Sequence, residues 1–488
     1  MPRRPSARTL AMGLTVALAA ACAQPADDLL GGSGTSAGGD HAGTGGDGGG
    51  GTLDWSSCGP AECAGLDVPV DHGDPAGPTL RISVARVPAT GHRMGALFVN
   101  PGGPGATASD FAVTMASLLP SSVTDRFDVV GVDPRGLGAS DISCGGDVNA
   151  LYAVDYSIDS PADTTVLLDV SRDYVDGCRR RVGDLLPHLG TEDVARDIDA
   201  VRAAMGDEQL SYLGFSYGTA VGQVLAQVAP RHVRAMVLDG IVDLGPSGVA
   251  TAVAQAAGFE AALASFAADC DGDPSCPLAP HAMAAVERLQ ARVEARPIAG
   301  EEARDLGPGR LATALAMPLY SQQLWPDLAR AVADALDGDP AGMLALADQY
   351  LSTADFDVYF AANCLDWEWP EEPQEVLRAG AAAADRSPHF GEPIVNDYVR
   401  CAMWPVDERP IPAVTAPHAP PVLVISTTND PATPYEAGVR AARRLARGIL
   451  VTYEGEGHTV VGNGVACVDD LVADYLVDLD EPDDGTTC

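Results

Sequence analysis

The pentapeptide GFSYG at residues 214–218 lies between a strand-like run and a helical pattern, and this setting restricts how the chain can fold. The apolar run 210–215 predicts a short buried strand, and the apolar residues within 217–228 recur at helical spacing. A strand, a glycine-flanked turn and a helix in this order form a nucleophile elbow, which holds a serine in a strained turn above a sheet. The flanking pattern carries this prediction, because a G-x-S-x-G match alone is weak in a chain with 53 glycines. The sequence therefore predicts Ser216 as a nucleophile.

The basic residues exclude several kinds of catalytic chemistry. All 30 of them are arginine, so a Ser-Lys dyad, a Schiff-base lysine and a Walker A lysine are excluded. An activated serine in this chain must therefore depend on histidine. Among nine histidines, His458 lies in a glycine-rich turn after the apolar stretch 449–453. A loop that follows a strand can bring a histidine within hydrogen-bond reach of a serine, so His458 is the predicted general base.

The third catalytic residue is predicted from the preceding strand signal. The apolar run 421–426 leads into Asn429-Asp430-Pro431, where a carboxylate could orient the histidine. The order serine, aspartate, histidine along the chain is typical of the α/β-hydrolase fold. We therefore expect an α/β protein with a mostly parallel central sheet and helices on both faces.

The glycine-rich stretch NPGGPG at 100–105 follows another buried-strand signal at 96–99. Glycines let a backbone approach a substrate closely, so the N–H groups of Gly103 and Tyr217 are the predicted oxyanion hole. A further strand at 127–132 ends in Asp133 and Arg135, for which the glycine-rich surroundings favour a structural turn over a catalytic role.

The strand signals divide the chain into a discontinuous core and an insertion. Residues 54–242 and 413–488 carry the strands and all predicted catalytic groups. Residues 243–412 are largely helical in pattern, with segments at 248–268, 281–295, 309–315 and 326–337. The sequence therefore predicts a mainly helical cap, which would exclude water and select the substrate. A helical domain without a catalytic role is the alternative.

The N-terminus predicts export. Three arginines precede a short apolar run, so residues 1–21 form a predicted signal peptide. The sequence before Cys22 resembles a bacterial lipoprotein processing site, although simple cleavage and release is the alternative. Residues 22–53 are rich in glycine and predict a flexible linker. Membrane contact would then occur only through a lipid anchor on Cys22.

The cysteines also indicate an oxidising compartment. Without Cys22, ten of the eleven cysteines remain, and an even number without a C-x-x-C zinc pattern suggests five disulfides. Connectivity cannot be deduced from spacing, and the simplest hypothesis pairs the cysteines in chain order: Cys58 with Cys63, Cys144 with Cys178, Cys270 with Cys276, Cys364 with Cys401, and Cys467 with Cys488.

The formal net charge of −38 disfavours nucleic acid as a partner. Keeping an exported protein soluble is a sufficient explanation for this negative charge. Acidic residues could also bind the cationic N-terminus of a peptide. Asp366 and Glu368, beside two tryptophans, are candidates for that contact, although acidic clusters are usually solvated faces.

Several motifs, in order, resemble the secreted tripeptidyl aminopeptidase group of α/β-hydrolases, which is related to prolyl aminopeptidases. They are NPGGPG (100–105), DPRGLGAS (133–140), GFSYGT (214–219), VLDG (237–240), NDPATP (429–434) and GEGHT (455–459). The resemblance covers residues 66–467 and implies removal of short peptides from substrates with a free N-terminus, without a metal or organic cofactor. An esterase or lipase with the same triad is the alternative, and a catalytically silent binding lipoprotein is a third hypothesis.

Overall fold

The computed structural model of the protein describes residues 53–301 and 304–488. The predicted signal peptide, Cys22 and residues 22–52 of the predicted linker lie outside the described residues.

A ten-stranded sheet forms the centre of the described chain. The strands span Ser56–Cys58 (β1), Ala61–Pro69 (β2), Thr79–Val87 (β3), Gly95–Asn100 (β4), Phe127–Val132 (β5), Leu210–Phe215 (β6), Val233–Asp239 (β7), Val422–Asn429 (β10), Gly448–Glu456 (β11) and Thr486–Thr487 (β12). Their order across the sheet is β1-β2-β3-β5-β4-β6-β7-β10-β11-β12. The strands β1, β2 and β3 are antiparallel to their neighbours, and every neighbouring pair from β5 to β12 in this order is parallel. Two short strands, Ile298–Ala299 (β8) and Asp305–Leu306 (β9), pair separately.

Helices cover both faces of this sheet, as predicted. In β4, β5 and β6 all six residues are buried, which is the pattern of parallel strands covered on both sides. The helices of the core are Ala108–Leu118 (α1), Ser121–Thr124 (α2), Val148–Leu151 (α3), Pro161–Arg181 (α4), Thr191–Met205 (α5), Tyr217–Val228 (α6), Tyr435–Arg444 (α15) and Ala466–Asp478 (α16). Alternate residues of the central strands pack against α5 and α6 on one face and against α1 and α16 on the other.

The chain between β7 and β10 is mainly helical in its described residues, apart from the short strands β8 and β9. The helices are Gly248–Gly272 (α7), Ala282–Ala295 (α8), Pro308–Leu319 (α9), Trp325–Asp337 (α10), Ala341–Leu351 (α11), Phe356–Asp366 (α12), Pro373–Ala384 (α13) and Gly391–Asp397 (α14). Helices α7 to α11 share a second apolar core, in which Phe259, Phe266, Leu289, Leu315 and Val332 are buried. The insertion therefore has its own packing and is not a surface loop.

The disulfides join the cysteines in chain order, which confirms all five predicted pairs: Cys58–Cys63, Cys144–Cys178, Cys270–Cys276, Cys364–Cys401 and Cys467–Cys488. Each closes a local loop, the longest of which spans 37 residues. The last pair ties the C-terminal residue to the first turn of α16.

Candidate active site

Ser216 lies in the turn between β6 and α6. Its φ of 53° and ψ of −126° are strained for a residue with a side chain. A Cβ on Gly214 would lie 2.5 Å from the Gly218 carbonyl oxygen, and one on Gly218 would lie 2.5 Å from the Asn100 carbonyl oxygen. Only glycine fits these two positions, and the strand-turn-helix geometry lifts Ser216 above the carboxyl edge of the sheet.

His458 and Asp430 meet at the same edge of the sheet. Asp430 follows β10 and His458 follows β11, and the two strands are parallel neighbours. The imidazole Nδ1 lies 2.9 Å from Asp430 Oδ1 and 2.8 Å from Oδ2. Both side chains are buried, at 8% and 1% exposure. His458 Nε2 is also buried and has no hydrogen-bond partner among the described residues, so it is free to accept a proton.

Further contacts fix the positions of Asp430 and His458. The Asp430 carboxylate accepts hydrogen bonds from the N–H groups of Ala432 and Thr433 at 2.9 and 2.8 Å and from the Thr433 hydroxyl at 2.9 Å. The backbone N–H of His458 donates to the Tyr320 carbonyl oxygen at 2.9 Å. The Tyr320 ring packs edge-on against the imidazole, with centroids 5.5 Å apart. The histidine and its carboxylate partner are therefore held in one geometry.

The surroundings of His458 favour its protonated form. Burial alone would lower the pKa of the imidazole, but the charge of Asp430, its hydrogen bond and the charge of Asp239 together raise the pKa above its ordinary value. An imidazolium formed during a reaction would be stabilised by the same carboxylates.

The NPGGPG loop passes directly over the serine turn. Gly102 and Gly103 have φ values of +99° and +101°, and a Cβ on Gly102 would lie 2.9 Å from the Tyr217 backbone nitrogen. Tyr217 is the first residue of α6, where a backbone N–H has no partner within the helix. The Gly102 N–H donates to Asn100 Oδ1 at 3.0 Å. The loop therefore places Gly102 against the serine turn, and the oxyanion role of the Gly103 and Tyr217 N–H groups stays a prediction.

The two carboxylates predicted to bind a substrate amine have different surroundings. Asp366 is 3% exposed, and its carboxylate accepts hydrogen bonds from the Thr191 N–H and hydroxyl at 2.9 and 2.6 Å. The Thr191 hydroxyl also contacts the Tyr217 hydroxyl. Burial raises the pKa of Asp366 to about 7, against the opposing effect of these hydrogen bonds. Glu368 is exposed. These contacts indicate that Asp366 supports Tyr217, and amine binding by the pair stays a prediction.

The turn residues Asp133 and Arg135 make internal contacts. Asp133 accepts hydrogen bonds from the Ser109 N–H and hydroxyl at 2.9 and 3.0 Å. The Arg135 guanidinium is fully buried, and its Nε and Nη2 donate to Asp197 at 2.8 and 2.7 Å. The Asp197 carboxylate also binds His72 at 2.8 Å. These are the contacts of a structural turn.

A recess lined by tyrosines lies mainly within the insertion, which supplies all of its lining residues except Tyr152 and Tyr156. It encloses about 530 Å³, part of it open to solvent. Its wall includes five tyrosines, two phenylalanines and one partly buried carboxylate: Tyr152, Tyr156, Tyr350, Tyr359, Tyr398, Phe259, Phe390 and Asp397. Phe259 packs against Tyr320, the residue that contacts His458. The segment before α12 lies against the NPGGPG loop, because the Asp355 backbone N–H donates to the Gly105 carbonyl oxygen at 2.8 Å. One wall of the recess is therefore linked to His458 through Phe259 and Tyr320.

Three residues in the site were not predicted from sequence. Thr433 binds Asp430, Tyr320 binds and packs on His458, and the Asp239 carboxylate binds the loop after His458. Thr433 lies in the NDPATP motif and Asp239 in the VLDG motif. These motifs marked both residues in the sequence but did not indicate what they do. Tyr320 lies in the insertion and had no local signal.

Comparisons with known proteins agree with this geometry. Residues 387–488, which carry Asp430 and His458, match a family model described as TAP-like protein. The chain is 36% identical over 476 residues to the serine protease Hip1 of Mycobacterium tuberculosis, covering 89% of this chain and 91% of that protein. It is 37% identical over 459 residues to carboxylesterase B of the same species, covering 89% and 88%. It is 31% identical over 460 residues to the tripeptidyl aminopeptidase of Streptomyces coelicolor, covering 87% and 84%.

The fold and its site define a serine hydrolase of the α/β-hydrolase class. A strained serine follows β6, a histidine and an aspartate follow the last two long strands, and the central sheet is mostly parallel. With relatives above 30% identity along most of its length, the chain belongs to the TAP-like family of these hydrolases, as its motifs predicted. Five disulfides within the described residues, together with these relatives, indicate an exported protein.

Proposed function

We propose that the protein is an aminopeptidase that releases short peptides from the free N-terminus of its substrates. The observation that carries the proposal is the bidentate contact of Asp430 with His458 beside the strained turn of Ser216. The relatives named serine protease and tripeptidyl aminopeptidase support a peptide as the substrate.

In the proposed reaction, Ser216 Oγ attacks the carbonyl carbon of the scissile bond while His458 Nε2 takes the serine proton. Asp430 holds the ring through Nδ1 and stabilises its positive charge. The N–H groups of Gly103 and Tyr217 bind the oxygen that becomes negative. The tetrahedral intermediate collapses as His458 gives the proton to the leaving amine. Water then attacks the acyl-enzyme carbonyl while His458 takes a proton from it. His458 returns that proton to Ser216 Oγ as the bond between the acyl group and Oγ breaks and the peptide acid leaves.

We assign the acyl part of the substrate to the tyrosine-lined recess. Its rings and hydroxyl groups suit uncharged side chains, apolar or aromatic, with polar atoms that can orient a peptide backbone. Residues 243–412 would act as the cap over this recess, between the core segments 54–242 and 413–488. A recess built within a cap admits a chain end more readily than the middle of a long chain, which favours an exopeptidase.

Ester hydrolysis is the second candidate, because the 37% identical relative is named a carboxylesterase. Amide and ester hydrolysis share the acyl-enzyme, and they differ mainly in protonation of the leaving group. The test uses the purified protein on matched acyl groups: mono-, di- and tripeptidyl chromogenic amides with free or acetylated N-termini, and short acyl esters. The proposal predicts turnover of free-amine peptides that acetylation abolishes. Turnover of esters alone would assign the protein to the esterases.

We further propose that Cys22 is acylated and anchors the protein to the cell envelope, with residues 1–21 removed. Several acyl chains on one N-terminal cysteine would be needed for firm anchoring. The intact mass of the N-terminal peptide tests this proposal. A lipid-modified Cys22 supports it, and an unmodified N-terminus at another residue identifies a freely secreted protein.

A further inference from the structure

Asp239 is the last residue of β7 and contacts two of the loops that form the site. Its carbonyl oxygen accepts a hydrogen bond from the Ser216 N–H at 3.0 Å. Its carboxylate Oδ2 accepts two more, from the N–H groups of Val460 at 2.7 Å and Val461 at 2.8 Å. A single residue therefore holds both the serine turn and the loop that carries His458.

The carboxylate of Asp239 is incompletely hydrogen-bonded. The side chain is fully buried, and Oδ1 has no hydrogen-bond partner within residues 53–301 and 304–488. A buried carboxylate that lacks hydrogen bonds destabilises a fold. Packing alone therefore gives no reason for a charged group at this position.

The imidazole of His458 lies beside this strand end. A Cβ built on Gly240 would lie 3.0 Å from His458 Cε1, so the ring packs on the residue after Asp239. Burial raises the pKa of Asp239 to about 6, opposed by its backbone hydrogen bonds and by His458, so the group is ionised at neutral pH. The other groups that face the ring are the Asp430 carboxylate and Tyr320, whose phenol stays neutral because burial raises its pKa.

We propose that Asp239 is a positioning residue for the hydrolytic reaction. Its carboxylate fixes the position of the His458 loop relative to Ser216. It also places a second negative charge beside the imidazolium that forms when His458 takes the serine proton. Asp430 binds the ring directly, whereas Asp239 acts through the loop backbone and through its charge. This inference rests on the proposed roles of Ser216 and His458.

The substitution Asp239→Asn separates charge from hydrogen bonding. It removes the charge but keeps one oxygen for the Val460 and Val461 N–H groups. The acidic limb of the plot of kcat/KM against pH should move to lower pH by about half a unit to one unit, because a charge that favours the imidazolium is lost. The value of kcat should fall about tenfold. Asp128→Asn is the matched control, since Asp128 is also buried but binds Arg93 and lies at the start of β5. It should leave the limb in place.

A folded Asp239→Asn protein with an unmoved acidic limb would overturn the proposal, even if kcat fell, because a merely structural residue would give that result. If this variant does not fold, Asp239→Glu provides the second test. It keeps the charge but displaces it, so the limb should stay within about 0.2 units of wild type while kcat falls. A limb shift as large as that expected for Asp239→Asn would refute the role of the charge. Failure of the proposed function is recognised separately, because the wild type would then hydrolyse esters but no free-amine peptides, or activity would survive Ser216→Ala.

Discussion

Neutralising Asp239 should stabilise the protein at neutral pH while it slows the reaction. Burial raises the pKa of this carboxyl from 3.8 to about 6. A carboxyl group with a higher pKa in the folded than in the unfolded chain binds its proton more tightly when folded, so its contribution to stability is complete below about pH 4 and is lost as the pH rises through about 6. About two pKa units correspond to about 3 kcal/mol.

The assay is guanidinium denaturation of the wild type and of Asp239→Asn at pH 4, 5, 6 and 7, with the disulfides intact. The difference in unfolding free energy between the two proteins isolates Asp239 from the other buried carboxyl groups, which are common to both. We expect the wild type to lose about 2.4 kcal/mol relative to the variant between pH 4 and pH 7, because part of the effect lies below pH 4. A difference that does not change with pH would refute the reasoning, because the carboxyl would then have the same pKa in the folded and unfolded states.

Three further predictions test other parts of the site and fold. Asp430→Asn should keep the fold, as judged by circular dichroism, and lower kcat about 10⁴-fold, because the ring of His458 loses the partner that sets its tautomer. Gly102→Ala should lower kcat about 10²-fold or more, since its Cβ would lie 2.9 Å from the Tyr217 nitrogen. Gly485→Ala is its control, with φ +85° but open space around the Cβ, and it should retain activity. Replacing the cysteines of the C-terminal disulfide by alanine should lower the unfolding free energy by about 3 kcal/mol in guanidinium titrations and leave kcat unchanged; a large loss of kcat would contradict the local role of that bond.

The sequence predicts the elements whose signals are local. The buried runs at Phe127–Val132 and Leu210–Phe215 and the helix Tyr217–Val228 have the predicted bounds, because continuous apolar residues and flanking glycines define them. Four of the insertion helices are found at the predicted places with ends shifted by a few residues, as at Trp325–Asp337, whereas α11 to α14 were not predicted individually. The disulfide pairs also follow chain order, since each joins cysteines that are near in sequence.

The environment of a side chain was harder to predict. Asp366 and Glu368 read as one acidic surface, yet α12 ends at Asp366 and turns its carboxylate toward Thr191, while Glu368 points to solvent. The tyrosine-lined recess brings together residues as far apart as Tyr152 and Tyr398, which no local pattern connects. Such contacts depend on how the insertion packs on the core.

The central claim is that Ser216 is the nucleophile, activated by His458. The most direct measurement is the intact mass and peptide map of the protein after treatment with a fluorophosphonate, which phosphonylates activated serines with loss of fluoride. The account predicts one adduct on the wild type, located at Ser216, no adduct on Ser216→Ala and much slower labelling of His458→Ala. An adduct at another residue, or equal labelling of Ser216→Ala, would contradict the account.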